Sequence, residues 1–311
     1  MMIRYFRFAS AAAFALIALM PFQTAIRAQA LHEVQPSSSP RVVEVLGEDY
    51  AFDAPASIPS GWTTIRFRNG GQEPHMIFLS RLPEGKTIDD YQRELSAPFS
   101  RAWNAVRDEG VAQDKALEML FGSLPDWFPQ VQFAGGPGLA APGHASEVTM
   151  ELEPGNYVLE CYAKTEDGTI HYMEGMIRPM VVTETRSDGA PPRADIRITL
   201  SNDGMEIGGD LTPGRHTVAV HIAENPEQGF GHSVHLARLN PGAKVDEVVK
   251  WMNWFDLRGL RTPAPAEFVG GLHPMATGKT AYFTVDLEPG RYLAVSEATG
   301  AQGVLKEFTV R

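Results

Sequence analysis

The chain is one unit written twice. His75-Met-Ile-Phe-Leu-Ser-Arg-Leu-Pro-Glu-Gly85 returns as His232-Ser-Val-His-Leu-Ala-Arg-Leu-Asn-Pro-Gly242. Phe133-Ala-Gly-Gly136 returns as Phe268-Val-Gly-Gly271, and Leu152-Glu-Pro-Gly-Asn-Tyr157 as Leu287-Glu-Pro-Gly-Arg-Tyr292. A repeat this long means two copies of a domain rather than a solenoid. The offset between copies falls from 157 residues at the histidine to 135 at the Leu-Glu-Pro-Gly turn, so the second copy has 22 fewer residues in between.

Each copy reads as β-rich. Gly 29 and Pro 23 are scattered among short runs ending in Val, Ile, Thr, Tyr and Phe, the pattern of sandwiches. Residues 41–52 read as a strand, a turn and a short strand, and 55–61 as a loop. Trp62 to Arg68 alternates apolar and polar as a half-buried strand does. Met76 to Leu79 is the strand entered by Glu73-Pro74-His75. Thr87-Ile-Asp-Asp90 has the pattern of a capping box and opens a helical insertion that closes at Leu124-Pro125-Asp126-Trp127. Its aromatic residues are expected to pack on the sandwich. In the second copy only about residues 243–259 have helical character. Residues 184–194 are a charged, Pro-rich linker.

The expected architecture is all-β: two tandem Greek-key β-sandwiches, the first (41–183) with the helical insertion, the second (195–311) degenerate. Arg4, Arg7, an apolar run to Met20 and Ala28-Gln29-Ala30 read as an export signal, 1–30, cleaved near Ala30. A polar leader, 31–40, follows. This predicts a periplasmic or secreted protein without an integral membrane segment after cleavage. The net charge is −11 and becomes −14 once the three signal arginines go, which argues against nucleic acid as a partner. The single cysteine excludes an intramolecular disulfide.

That cysteine opens the most informative stretch, Cys161-x9-His171-x4-Met176, with Met173 inside it. Thiolate, imidazole and thioether donors together suit copper. The repeat acts as an internal control. Cys161 corresponds to Ser296, and Gly175-Met176 to Gly303-Val304, so the second copy lacks seven loop residues along with the thiolate, the loop histidine and the thioether. His232 and His235 could hold a metal only weakly, and His144, His216, His221 and His273 read as surface or structural. Phosphate loops, serine nucleophile elbows and paired cysteines are absent.

An upstream histidine on a strand followed by Cys, His and Met on one loop resembles the cupredoxin (blue-copper) superfamily, over roughly residues 41–183 and in degenerate form 195–311. The resemblance implies one mononuclear type 1-like copper ion held by His75, Cys161 and His171, with Met176 as axial ligand and Met173 as the alternative. The ligand spacing is similar to the long loop of copper-containing nitrite reductases. The likeness does not extend to nitrite reduction, for which no histidine-only second site is found. The implied function is one-electron transfer, more an electron carrier than an enzyme, with a redox partner protein docking near the copper loop. A metal-free binding module and a periplasmic copper carrier are the alternatives.

Overall fold

In the computed structural model, which describes residues 39–227 and 229–311, both halves carry eight strands in the same order. The first half has β1 (Arg41–Glu48), β2 (Ala51–Asp53), β3 (Ser57–Asn69), β4 (Phe78–Arg81), β5 (Gln132–Phe133), β6 (Ala145–Leu152), β7 (Gly155–Glu160) and β8 (Ile177–Arg186). The second has β9 (Ile196–Ser201), β10 (Gly204–Gly209), β11 (Gly214–Ile222), β12 (Val234–Leu239), β13 (Glu267–Leu272), β14 (Thr280–Leu287), β15 (Gly290–Val295) and β16 (Leu305–Val310). The expected tandem all-β sandwich is thus what the chain forms. The export signal and most of the leader lie outside the described residues. No helix among the described residues is long and apolar enough to cross a membrane.

The repeat extends to register. Phe78 faces Glu160 across β4 and β7, and the equivalent His235 faces Val295 across β12 and β15. Parallel β1–β3 pairing sets Val43 beside Ile65, and parallel β9–β11 pairing sets Ile196 beside Val218. Even the loop from Cys161 to Met176 keeps its closing hydrogen bond. Cys161 N–H donates to Met176 O at 3.0 Å, and Ser296 N–H to Val304 O at 3.0 Å.

The halves are not strung on a linker. They belong to one compact unit, because β6 pairs antiparallel with its own counterpart β14. Val148 sits opposite Phe283, the residue that corresponds to it, and both are buried. Antiparallel pairing of equivalent residues generates a local pseudo-two-fold axis. A second crossing agrees: Ala134, Pro137 and Ala140 bridge Met275, Leu272 and Val269, with the equivalent pair Pro137 and Leu272 at the centre. The repeated Phe-x-Gly-Gly motif serves close packing inside each half. Gly136 (φ +111°) and Gly271 (φ +144°) adopt backbone conformations that favour glycine, and a Cβ on either would strike an equivalent carbonyl, that of Ile77 or Val234.

The insertion is helical as the sequence predicts. It comprises α1 (Ile88–Tyr91), a π-helical turn (Gln92–Ser96), α2 (Ala97–Arg107) and α3 (Gln113–Ser123). Thr87 and Asp90 form the expected capping box. The second half has only α4 (Val245–Met252). Three boundaries differ from the sequence reading, the first being the second-half helix, which ends at Met252 rather than near 259. Residues 57–60 are strand rather than loop, pairing in parallel with β8 through a register shift after Pro59. A bulge and the missing proline donor are compatible, since proline is tolerated in sheets at such points. The first residues of the expected linker continue β8 to Arg186.

Because the two halves share a sheet, they should unfold together. Phe283→Ala removes a buried ring from the pseudo-two-fold contact, a class of change that costs about 3–5 kcal/mol. Tryptophan fluorescence and far-UV circular dichroism in urea should show one transition at a lower midpoint. Two separate transitions would contradict the shared-sheet account.

Candidate metal centre

Three elements bring the ligand-type residues together. His75 precedes β4 and is fixed by paired backbone bonds to Ala140, N–H to O at 3.2 Å and the reverse at 2.9 Å. Asn69, buried at the end of β3, ties the intervening turn by donating to Glu73 O at 2.7 Å and Ala140 O at 2.8 Å. Cys161 follows β7. His171 opens a 3-10 turn, His171–Met173, and its N–H donates to Ala163 O at 2.9 Å.

The side chains converge in a fully buried site. His75 Nδ1 and His171 Nδ1 are 3.0 Å apart, and Cys161 Sγ lies 3.8 Å from the first and 3.5 Å from the second. All three residues have no solvent exposure. A first-row ion such as zinc bonds nitrogen at about 2.0 Å and sulfur at about 2.3 Å. At the centre of a trigonal plane it would hold such atoms roughly 3.5–3.7 Å apart. The triangle matches that spacing to within about half an ångström, so the three donors fit one ion.

Met176 is buried in the sandwich core with Cys161, and its N–H donates to His171 O at 3.0 Å. Met173 packs elsewhere, against the cluster of Trp103 and Ile170 beneath the helical insertion. The loop therefore sends the two methionines to different sides, with Met176 on the side of the cysteine.

Electrostatics keep the donors neutral. Burial pushes the Cys161 thiol up to about 12, against backbone N–H groups of Met76 and Ala163 that draw it down. Burial, with His75 adding to it, pulls His171 down to about 3. Burial also lowers His75, opposed by Asp49. Neutral imidazoles have free lone pairs for a cation.

Sequence reasoning missed the groups behind the histidines. His75 Nε2 is 2.6 Å from Asp49 Oδ1. His171 Nε2 is 2.9 Å from Glu73 Oε2, although not along a hydrogen-bond direction. The Tyr50 ring lies tilted against His171, centroids 4.9 Å apart, and its hydroxyl donates to Glu73 Oε2 at 3.2 Å. Glu73 lies two residues from His75, a proximity that could have signalled its role. Carboxylates behind imidazoles fix ring orientation and raise ligand basicity.

The long loop is clamped from outside the first sandwich. Trp103 Nε1 on α2 donates to Gly168 O at 2.8 Å, and Arg107 reaches Thr169 Oγ1 at 3.1 Å. Lys164 is buried and donates to Trp254 O, to Asp256 O at 3.1 Å and to Gly259 O at 2.9 Å, with its ammonium 3.7 Å over the Trp103 ring.

The other histidines divide. His144 and His221 are exposed, and His216 sits 2.8 Å from Thr212 O. The weak His232–His235 pair does not form. His232 precedes β12 and lies by Thr299 and Asn202, whereas His235 lies within β12 beside His273. His273, expected at the surface or in a structural role, is fully buried.

No family model matches the chain, and no curated protein matches it. Among solved structures it is similar to an auracyanin from the photosynthetic bacterium Roseiflexus castenholzii, determined in the dithionite-reduced state, at 18% identity, 47% of this chain, 99% of that chain and a TM-score of 0.27. It is similar to auracyanin A, a "blue" copper protein from the green thermophilic photosynthetic bacterium Chloroflexus aurantiacus, at 22% identity, 47% of this chain, 100% of that chain and a TM-score of 0.29. It is also similar to a Cu-containing nitrite reductase from Thermus scotoductus SA-01, at 11% identity, 87% of this chain, 61% of that chain and a TM-score of 0.22.

The buried, protonated thiol should resist chemistry in the metal-free folded protein. An aromatic disulfide reagent at pH 8 is expected to label Cys161 only at the rate of unfolding, and at once in denaturant. Rapid stoichiometric labelling of the native protein would contradict the burial.

Proposed function

We propose that His75, Cys161 and His171 would hold one copper ion, with Met176 as a fourth, weaker ligand, and that the exported protein carries single electrons. The observation that carries this reading is the convergence of both histidine Nδ1 atoms on the Cys161 sulfur in a fully buried site. Two imidazoles, one thiolate and a weak thioether form the donor set of blue-copper electron-transfer sites. Met176 is preferred to Met173 because it shares the core cluster of Cys161. When bound, copper supplies a one-electron couple.

The protein's own residues prepare that chemistry. Burial keeps water out and holds both imidazoles neutral. The Cys161 thiol must lose its proton when metal binds, so loading releases a proton. Asp49 holds the His75 ring from behind, Glu73 stands 2.9 Å from His171 Nε2, and both are partly exposed, with side chains 25% and 15% accessible. Their charge, on a chain of net charge −11, suits a redox partner protein that presents a basic face there.

One observation favours the metal-free alternative: the 3.0 Å contact between the two Nδ1 atoms can close as a hydrogen bond without an ion. Absorption spectroscopy on the purified chain decides. Copper(II) is expected to give an intense visible thiolate-to-copper band at one equivalent, absent in Cys161→Ser. That variant should fold, since Ser296 occupies the equivalent position. A protein that binds no copper would be the interaction module, and a colourless, tight copper(I) complex would be the carrier.

A second variant tests the carboxylate brace. A Cβ at Gly71 would come within 2.7 Å of His75 Nε2 and strike the Asp49 carboxylate. Gly71→Ala should therefore weaken copper binding by roughly 10–100-fold, the range for disturbed outer partners. Competition with a chelator of known affinity measures this, and unchanged affinity would remove Asp49 from the account.

A further inference from the structure

The second half lacks the thiolate loop but holds a polar cluster of its own. His235 lies on β12, His273 follows β13 and Glu297 follows β15. One donor atom from each lies within 4.8 Å of the others. The imidazole rings are 5.0 Å apart, and His235 Nε2 is 3.8 Å from Glu297 Oε2. Tyr162 joins the group, donating to Glu297 Oε2 at 2.7 Å with its hydroxyl 3.2 Å from His273 Nδ1.

This cluster is incomplete as a hydrogen-bond network. Both nitrogens of His235 and Nε2 of His273 have no hydrogen-bond partner, and both residues have no solvent exposure. Each buried unsatisfied polar atom costs about 1–3 kcal/mol. The scaffold does not demand these residues. In the first half Phe78 stands where the second has His235, and Tyr162 where the second has Glu297. A fold that accepts phenylalanine and tyrosine there has taken on histidine and glutamate at a cost to itself.

We propose that His235, His273 and Glu297 form a second metal site, for a divalent first-row transition ion, with Tyr162 as a positioning residue. Two imidazoles and one carboxylate are a common protein ligand set for such ions. Burial draws His235 down to about 3 and His273 well below its ordinary value, which leaves their lone pairs free. Burial pushes Glu297 up to about 8, so an ion arriving near neutral pH displaces a proton there. The cluster borders a pocket at one side. Glu297 and Tyr162 line a pocket walled by Phe99, Phe230 and Trp254 between the helical insertion and the second half.

The site is separable from the proposed copper centre by mutation. In the full-length chain carrying Cys161→Ser and His171→Ala, calorimetric titration with zinc(II) should show one equivalent bound. Adding His235→Phe, the residue the first half uses, should weaken binding by more than ~100-fold, beyond the range of outer-partner changes. Glu297→Gln should weaken it too, and Tyr162→Phe by roughly tenfold. Cobalt(II) in place of zinc should give a visible absorption band that follows the same order. Far-UV circular dichroism checks folding, and should His235→Phe not fold, Glu297→Gln carries the test. No zinc binding in the Cys161→Ser, His171→Ala chain, or binding indifferent to the folded His235 and Glu297 variants, overturns the proposal.

Discussion

The antiparallel contact of β6 with β14 is the constraint on which the rest of the molecule depends. A duplicated sandwich could hang as two beads on a linker. Here each copy would expose the edge of β6 or β14, and an open strand edge is a liability. Pairing the edges of equivalent strands removes both at once, at Val148 and Phe283. The same operation brings the Gly-Gly segments together around Pro137 and Leu272. Everything placed near that axis is therefore built by both halves, including the contact between Tyr162 and Glu297, which correspond to one another in the repeat.

The two features that distinguish the halves belong together physically. The first half has the longer insertion and the longer loop, and the two touch: α2 binds the loop tip through Trp103 and Arg107. A loop lengthened by seven residues carries extra backbone groups that must be satisfied. The insertion supplies some of the partners, and the 254–259 segment of the second half receives Lys164. The second half lacks the extra loop residues and most of the helices, yet it keeps the closing bond from Ser296 to Val304. The Cys161–Met176 loop is thus an enlargement of a scaffold that closes without the added residues.

The repeat, the strand-rich architecture, the capping box at Thr87 and the grouping of His75, Cys161 and His171 were legible because each is carried by local pattern or by comparison of one half with the other. Ser57–Ser60 was not, because Pro59 signals a loop and only the parallel partner in β8 makes it a strand. Asp49 behind His75 was hidden, since 26 residues separate them and a turn acid has many ordinary reasons to exist. The nearness of His235 to His273 was hidden for the same reason. Nothing in sequence pairs the middle of β12 with the residue after β13, whereas His232 and His235 stand three residues apart and read as a pair.

Cys161 and Tyr162 show how close the two polar clusters stand. A strand sends successive side chains to opposite sides, and the end of β7 does so here. Cys161 turns into the core of its own sandwich toward His75 and His171. Tyr162 turns outward across the pseudo-two-fold axis to His273 and Glu297. One peptide bond therefore joins a residue of each cluster. The first cluster is closed off from solvent, while the second borders an aromatic pocket through Glu297. In a duplicated fold this division has a simple origin. Each copy contributes the same two positions after β7 or β15, Cys161-Tyr162 and Ser296-Glu297, and the copies have diverged in which of the two bears the ligand-type side chain.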